Sequence, residues 1–208
     1  MKNSAVILAG GFSKRFGQDK ALIELAGNPL ILHVLNRASK IVDEMVVVVS
    51  SENQKETFER LLAHKANVVV DKYKVQSPLV GASAGFESAH GEYSLLLPCD
   101  TPFVSSQIMR FLLDLCINKN AVIPRWSSGY IEPLQAAYHT KSALTATKTA
   151  LEEGKLDLQS MIAHLRGVRY VSTTVLQQMD AELLTFFNIN TFKDLKRAES
   201  FLKQFCPP

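Results

Sequence analysis

Two adjacent glycines, Gly10 and Gly11, follow the apolar run AVIL, and Lys14, Arg15 and Lys20 come next in quick succession. Glycine leaves the backbone bare, so successive N–H groups can approach an anion with no Cβ in the way. An arginine can fork onto two phosphate oxygens, and a lysine acts as a point charge. A loop of this kind can hold a polyphosphate. Neither of the two common glycine-rich phosphate motifs accounts for it. Gly11 and Gly17 enclose five residues, where a P-loop needs four and then Lys and Ser or Thr; the dinucleotide fingerprint needs its first two glycines separated by one residue. The plainer alternative, a tight surface turn with solvated charges, does not call for twin glycines and three cations directly after a buried strand.

Carboxylates and amides could complete such a site. Asp100 stands in Pro98-Cys99-Asp100-Thr101-Pro102, where the prolines stiffen the backbone. A hard carboxylate there suits Mg²⁺, which is commonly held by one or two carboxylates plus phosphates, although an Asp at this place can also cap the helix that follows. Asp71 ends the run VVVD; it can meet a metal through water, hydrogen-bond a ribose or base, or simply close a strand-end turn. Asn188 and Asn190 precede a helix start, where asparagine is equally at home as a cap. His139 has no Ser or Cys partner in a recognisable motif, and Cys99 follows an apolar strand, so both read as structural.

Positioning these groups falls to an alternation of short β-branched runs and longer helical patterns. Strands are predicted at residues 5–10, 45–50, 68–71, 93–97, 121–124, 134–139 and 168–172. Helices are predicted over 30–42, 54–64, 80–90, 105–117, 141–153, 158–165 and 191–201, with Thr191 and Asp194 forming a capping-box-like pair. Strands alternating with crossover-length helices imply one α/β domain spanning 1–208, its sheet mostly parallel and doubly wound with helices on both faces. Ligands of such sheets bind beyond the carboxyl ends of the strands. The glycine loop, Asp71 and Asp100 all fall at such ends, and their convergence says more than any one of them.

Composition sets outer bounds. Hydrophobic residues make up 47% of the 208-residue chain, ample for a full core. The net charge of +3 comes from dispersed residues without a basic run, which argues against nucleic acid as a partner. Cys99, Cys116 and Cys206 lack metal spacing, and an odd count argues against a disulfide framework, so a reducing cytoplasm is the expected compartment. No signal peptide or membrane-length apolar segment is expected, and no membrane partner.

LAGGFSKRFGQDK at 8–20 resembles the signature loop of nucleotidyltransferases, and with LAGG and DK it is most similar to the molybdenum cofactor guanylyltransferases. The resemblance extends over SPLVGASAGF (77–86), LLLPCDTPFV (95–104), EPLQAAYH (132–139) and FFNINTFKDL (186–195), with Phe16 where Met is common in the family. It implies a Rossmann-like, Mg²⁺-dependent enzyme that transfers GMP from GTP to molybdopterin, releases pyrophosphate and forms molybdopterin guanine dinucleotide. It also implies dealings with molybdoenzymes or other cofactor-pathway proteins. Mapped onto the motifs, it assigns Leu8, Ala9, Gly10, Gly11, Lys20, Asp71 and Asp100 to the nucleotide, and Asp100 to the metal. Arg15, Lys20 and Asp100 become the catalytic set, and Asn188 and Asn190 the contacts to the second substrate. No base contact is assigned to 50–53. Gly10 stands where related cytidylyltransferases tend to carry Ala, which suggests that the missing methyl makes room for a purine. The rival readings are a molybdopterin cytidylyltransferase, a sugar-phosphate nucleotidyltransferase, a nucleotide-binding regulatory protein without turnover, and a ligand-free scaffold. The presence of both Lys20 and the metal carboxylate Asp100 argues against the regulatory protein, and the clustered loop cations argue against the scaffold.

Overall fold

The computed structural model describes residues 2–13, 15–71 and 75–205; Lys14 and Cys206 lie outside the described residues. Seven strands form one sheet: β1 (Asn3–Leu8), β2 (Glu44–Val49), β3 (Asn67–Val70), β4 (Tyr93–Pro98), β5 (Ala121–Arg125), β6 (Ala136–His139) and β7 (Val168–Ser172). Their order is β7-β5-β6-β4-β1-β2-β3. All neighbours run parallel except β6, which is antiparallel to both β4 and β5. The exception has a simple cause. Parallel pairing needs a crossover of a dozen or more residues, and residues 126–135 fold back through a short loop closed by an Arg125–Ile131 bridge.

Elsewhere the crossovers are helices: α1 (Leu30–Ala38), α2 (Glu52–Leu62), α3 (Pro78–Ser88) and α4 (Ser106–Cys116) join the first five strands in turn. Then come α5 (Thr140–Glu152), α6 (Leu158–Ala163), the short α7 (Thr173–Leu176) and α8 (Phe192–Phe205). The period-2 geometry of a strand divides its side chains between two cores. In β1, Ala5 and Ile7 face a cluster shared with α1, α2 and α4, while Val6 faces a second shared with α3, α5 and α6. Helices therefore cover both faces. No helix among the described residues is long and apolar enough to cross a membrane.

Two packing features shape the functional edge. The Gly- and Ala-rich α3 lies close against the sheet, since a Cβ added at Gly85 would come within 2.1 Å of Val6 Cγ1. A third cluster joins Ile23, Leu25 and Leu30 to Phe103, Ile189 and Ala198, so the segment after the glycine loop is seated under α8. The Phe16 ring, 4.5 Å from that of Phe192, adds a further contact between loop and helix.

The predicted strands and helices are all present, with ends shifted by a few residues. The predicted strand at 134–139 begins only at Ala136, and α7 has no counterpart among the predicted elements. The loop also contains local pairing that the sequence did not announce: Phe12–Ser13 runs antiparallel to Gln18–Asp19, and Glu24–Leu25 to Asn28–Pro29.

Candidate active site

β1, β2, β3 and β4 end at the same edge, and backbone hydrogen bonds carry the ladder one residue further. Ala9 N–H donates to Val48 at 2.8 Å, Asp71 N–H to Val49 at 2.9 Å, and Cys99 N–H to Leu8 at 3.2 Å. Beyond these ends lies a cleft of about 350 Å³ lined by Leu8, Gly10, Gly11, Lys20, Asp71 and Asp100, among others. These are all the residues assigned to the nucleotide except Ala9, whose side chain is fully buried in the core beneath. Arg15 sits in an exposed turn outside the cleft lining.

The loop returns on itself. The pairing of its two arms brings Lys20 N–H onto the Gly11 carbonyl at 3.1 Å, so a cation nine positions along the chain stands beside the bare glycines. Lys20 Nζ donates to Asp100 Oδ2 and to Asn190 Oδ1, the latter at 2.5 Å. Asp100 is buried, and its other oxygen, Oδ1, has no hydrogen-bond partner among the described residues. It is not the cap of the following helix: Ser105 takes that role, accepting from Ile108 N–H at 3.4 Å.

Asn190 reaches Lys20 from the irregular segment before α8. Alternation turns Ile189 into the third cluster and leaves Asn188 and Asn190 exposed. Ile189 N–H also donates to the Asp100 carbonyl at 3.0 Å, fastening this segment to the end of β4. Thr191 and Asp194 complete the predicted capping pair. The Thr191 hydroxyl donates to Asp194 Oδ2 at 2.8 Å, Asp194 N–H donates back to Thr191 Oγ1 at 3.2 Å, and Asn190 N–H donates to Oδ2 at 3.1 Å. Burial alone would raise the Asp194 pKa; these bonds outweigh it and hold the carboxyl below its ordinary value. With the cap supplied by its neighbours, the Asn190 side chain is spared for Lys20.

The packing corrects the reading of Gly10. A Cβ there would stand 2.2 Å from Ser50 Oγ, so the space belongs to Ser50 and not to a base. The Ser50 hydroxyl donates to the Gly10 carbonyl at 2.5 Å. Gly11 differs: an added Cβ would meet nothing within 4 Å among the described residues. Ser50, Ser77 and Leu134 line the cleft without having been singled out. Ser77 left a local signal, because Ser before Pro and an apolar run is an N-cap pattern, and its Oγ accepts from Val80 N–H at 3.2 Å. Ser50 left none.

Electrostatics separates the polar groups from the thiol. Burial, reinforced by neighbouring Asp100, drives the Cys99 pKa far upward, which leaves a neutral thiol unsuited to attack. Burial also raises Asp71 above its ordinary value. His139 Nδ1 accepts from Ser142 N–H at 3.3 Å and caps α5.

A glycine loop, a Lys–Asp pair and an amide converging at the carboxyl edge of a mostly parallel sheet define an α/β protein built to hold a ligand at that edge. The chain belongs to the family of the MobA-like NTP transferase domain, whose model matches residues 5–169. A probable molybdenum cofactor guanylyltransferase from Methanosarcina mazei is 31% identical, covering 97% of this chain and 92% of its own. One so named from Pyrococcus horikoshii is 35% identical, covering 94% and 98%. Among solved structures, molybdopterin-guanine dinucleotide biosynthesis protein A from Archaeoglobus fulgidus superposes with a TM-score of 0.83 at 30% identity, covering 97% of this chain and all of that one.

Proposed function

We propose that this protein is a guanylyltransferase that moves GMP from GTP to molybdopterin, forming molybdopterin guanine dinucleotide and pyrophosphate. The observation that carries the reading is the pairing of Lys20 with Asp100 in one cleft, with Asn190 accepting from the same Lys20 ammonium, in a chain whose relatives bear that activity in their names. A terminal phosphate oxygen of molybdopterin attacks the α-phosphorus of GTP; the new O–P bond forms as the bond to the β-phosphate oxygen breaks. The attacking oxygen is already anionic, so no protein nucleophile or general base is required. What the protein must overcome is repulsion between two anions that have to meet in line.

Gly10 and Gly11 offer backbone to the triphosphate. Lys20, with Arg15 swinging in from the exposed turn, stabilises charge gathering on the departing pyrophosphate, an effect of about 3–4 kcal/mol for a well-placed donor. Asp71 orients the nucleoside. Asn188 and Asn190 hold the acceptor, and Asn190 joins its side of the cleft to Lys20. Asp100 Oδ1, a buried carboxylate oxygen without a partner among the described residues, fits Mg²⁺, a cation that prefers oxygen and completes its shell with phosphates. When bound, Mg²⁺ supplies neutralisation of phosphate charge.

The whole chain, 1–208, serves as one nucleotidyltransferase unit in this reading, and the product passes to a molybdoenzyme or another protein of the cofactor pathway. The free thiols of Cys99 and Cys116 suit a reducing cytoplasm. The experiment is incubation with GTP, Mg²⁺ and molybdopterin, with the product identified by mass. Molybdopterin guanine dinucleotide is expected; turnover of CTP at the same efficiency in competition would move the protein to the cytidylyltransferase reading.

A further inference from the structure

A side chain outside the family's signature loop ties the glycine loop to the start of α2. Gln54 lies in the first turn of α2, and both ends of its amide are bonded. Nε2 donates to Asp19 Oδ2 at 2.7 Å, and Oε1 accepts from Ser50 N–H at 2.8 Å. These partners fix the amide orientation, since a carboxylate can only accept and a backbone N–H can only donate. Ser50 continues the chain through its hydroxyl to the Gly10 carbonyl. The relay thus begins one residue before Lys20 and ends one residue before Gly11.

We propose that Gln54, acting with Ser50, is a positioning residue that sets the Gly10–Gly11 peptide and the Lys20 ammonium for the nucleotide phosphates; this rests on reading the cleft as a triphosphate site. The geometry of a trans peptide supplies the link at one end. With the Gly10 carbonyl held by Ser50, the Gly11 N–H points the opposite way, on the residue whose surroundings are open and which lines the cleft. At the other end, the Asp19 carboxylate is anchored through Oδ2, its buried Oδ1 having no partner among the described residues. Helix α2 does not need this amide for its own start: Ser51 caps it, accepting from the Gln54 N–H at 3.3 Å.

The test compares Gln54→Leu, Gln54→Glu and the swap Gln54→Glu with Asp19→Asn, each in the full chain. GTP and guanosine affinities are measured by calorimetry, and turnover with GTP and molybdopterin by pyrophosphate release. Gln54→Leu should lower kcat about 10–100-fold, the scale of a 1 Å misplacement, and weaken GTP binding while guanosine affinity stays within about twofold. Gln54→Glu sets two carboxylates against each other and should lose as much. The swap exchanges amide and carboxylate between the two positions, so the loop side now donates and the helix side accepts. Turnover should then return to within about threefold of wild type. Recovery by the swap distinguishes the relay from a general packing role and keeps the test decisive if Gln54→Leu folds poorly. Wild-type kcat in Gln54→Leu, equal losses for GTP and guanosine, or no recovery in the swap would overturn the relay while wild-type turnover stands. A wild type that neither binds GTP nor releases pyrophosphate would overturn the triphosphate reading itself.

Discussion

The two sides of the cleft are built by different means. Asp100 follows β4, a strand at the centre of the sheet with β1 on one side and β6 on the other. Backbone bonds hold its surroundings from two directions, Cys99 to Leu8 and Ile189 to Asp100, and the adjacent Thr101 is fully buried. In the Gly10–Lys20 loop, none of Gly10, Gly11 and residues 15–20 is fully buried, and Phe16 packs against the third cluster. The loop relies on a two-residue pairing, on Lys20 reaching Asp100 and Asn190, and on the Gln54–Ser50 relay. Residues that must keep one place belong on the sheet; residues that must admit and release a triphosphate belong on a loop, where contacts can be exchanged. The contrast predicts that damage on the sheet side is chemical and damage on the loop side is a matter of positioning.

The largest effect is expected at Asp100. Asp100→Asn keeps the shape but removes the charge facing Lys20 and the hard oxygen, so turnover should fall at least about 100-fold. The melting temperature should stay within a few degrees of wild type, because the backbone bonds remain. Pyrophosphate release at the wild-type rate would remove Asp100 from the chemistry.

Lys20→Ala strikes the loop side. Losing a charged donor of about 1.5–3 kcal/mol should weaken GTP roughly tenfold or more, with guanosine nearly unaffected. Equal losses in calorimetry would mean that Lys20 does not face phosphates.

Gly10→Ala tests whether that glycine serves packing. The added methyl must displace Ser50 Oγ from 2.2 Å away, which should destabilise the fold by about 1–3 kcal/mol. Adding Ser50→Ala leaves a Cβ–Cβ distance near 3.4 Å and should recover part of the loss in a urea titration. If the second substitution recovers nothing, the Ser50 hydroxyl is not what excludes a side chain at Gly10, and the backbone nitrogen of Ser50, 3.1 Å away, is the contact that does.

The smallest effect concerns Asp71. Burial raises its folded pKa above the ordinary 3.8, so the ionised carboxylate at neutral pH is less favourable in the folded chain than in the unfolded one. That penalty is absent in acid and appears as pH rises through the raised pKa. Asp71→Asn should therefore melt slightly higher than wild type at pH 7, the gap closing as pH falls towards 3.8, while nucleotide affinity drops. An advantage independent of pH would locate its source outside this carboxyl.

The sequence alone determined the alternation of strands and helices, and with it the rule that ligands gather at the carboxyl edge. It also marked the Gly10-Gly11 loop, Asp71 and Asp100, because bare backbone, clustered cations and strand-end carboxylates are local patterns. The capping pair of Thr191 and Asp194 was legible for the same reason. What it could not reveal is who meets whom. Lys20 touches Asn190 across 170 positions and Asp100 across 80, and Gln54 reaches Asp19 across 35. The antiparallel β6 depended on how a short loop closes, and the role of Gly10 on a serine delivered by the next strand. Local patterns reflect interactions within a few turns of the chain, whereas these contacts arise only when the strand order brings distant segments to one edge and the packing of Ile23, Leu25 and Ile189 under α8 holds them there.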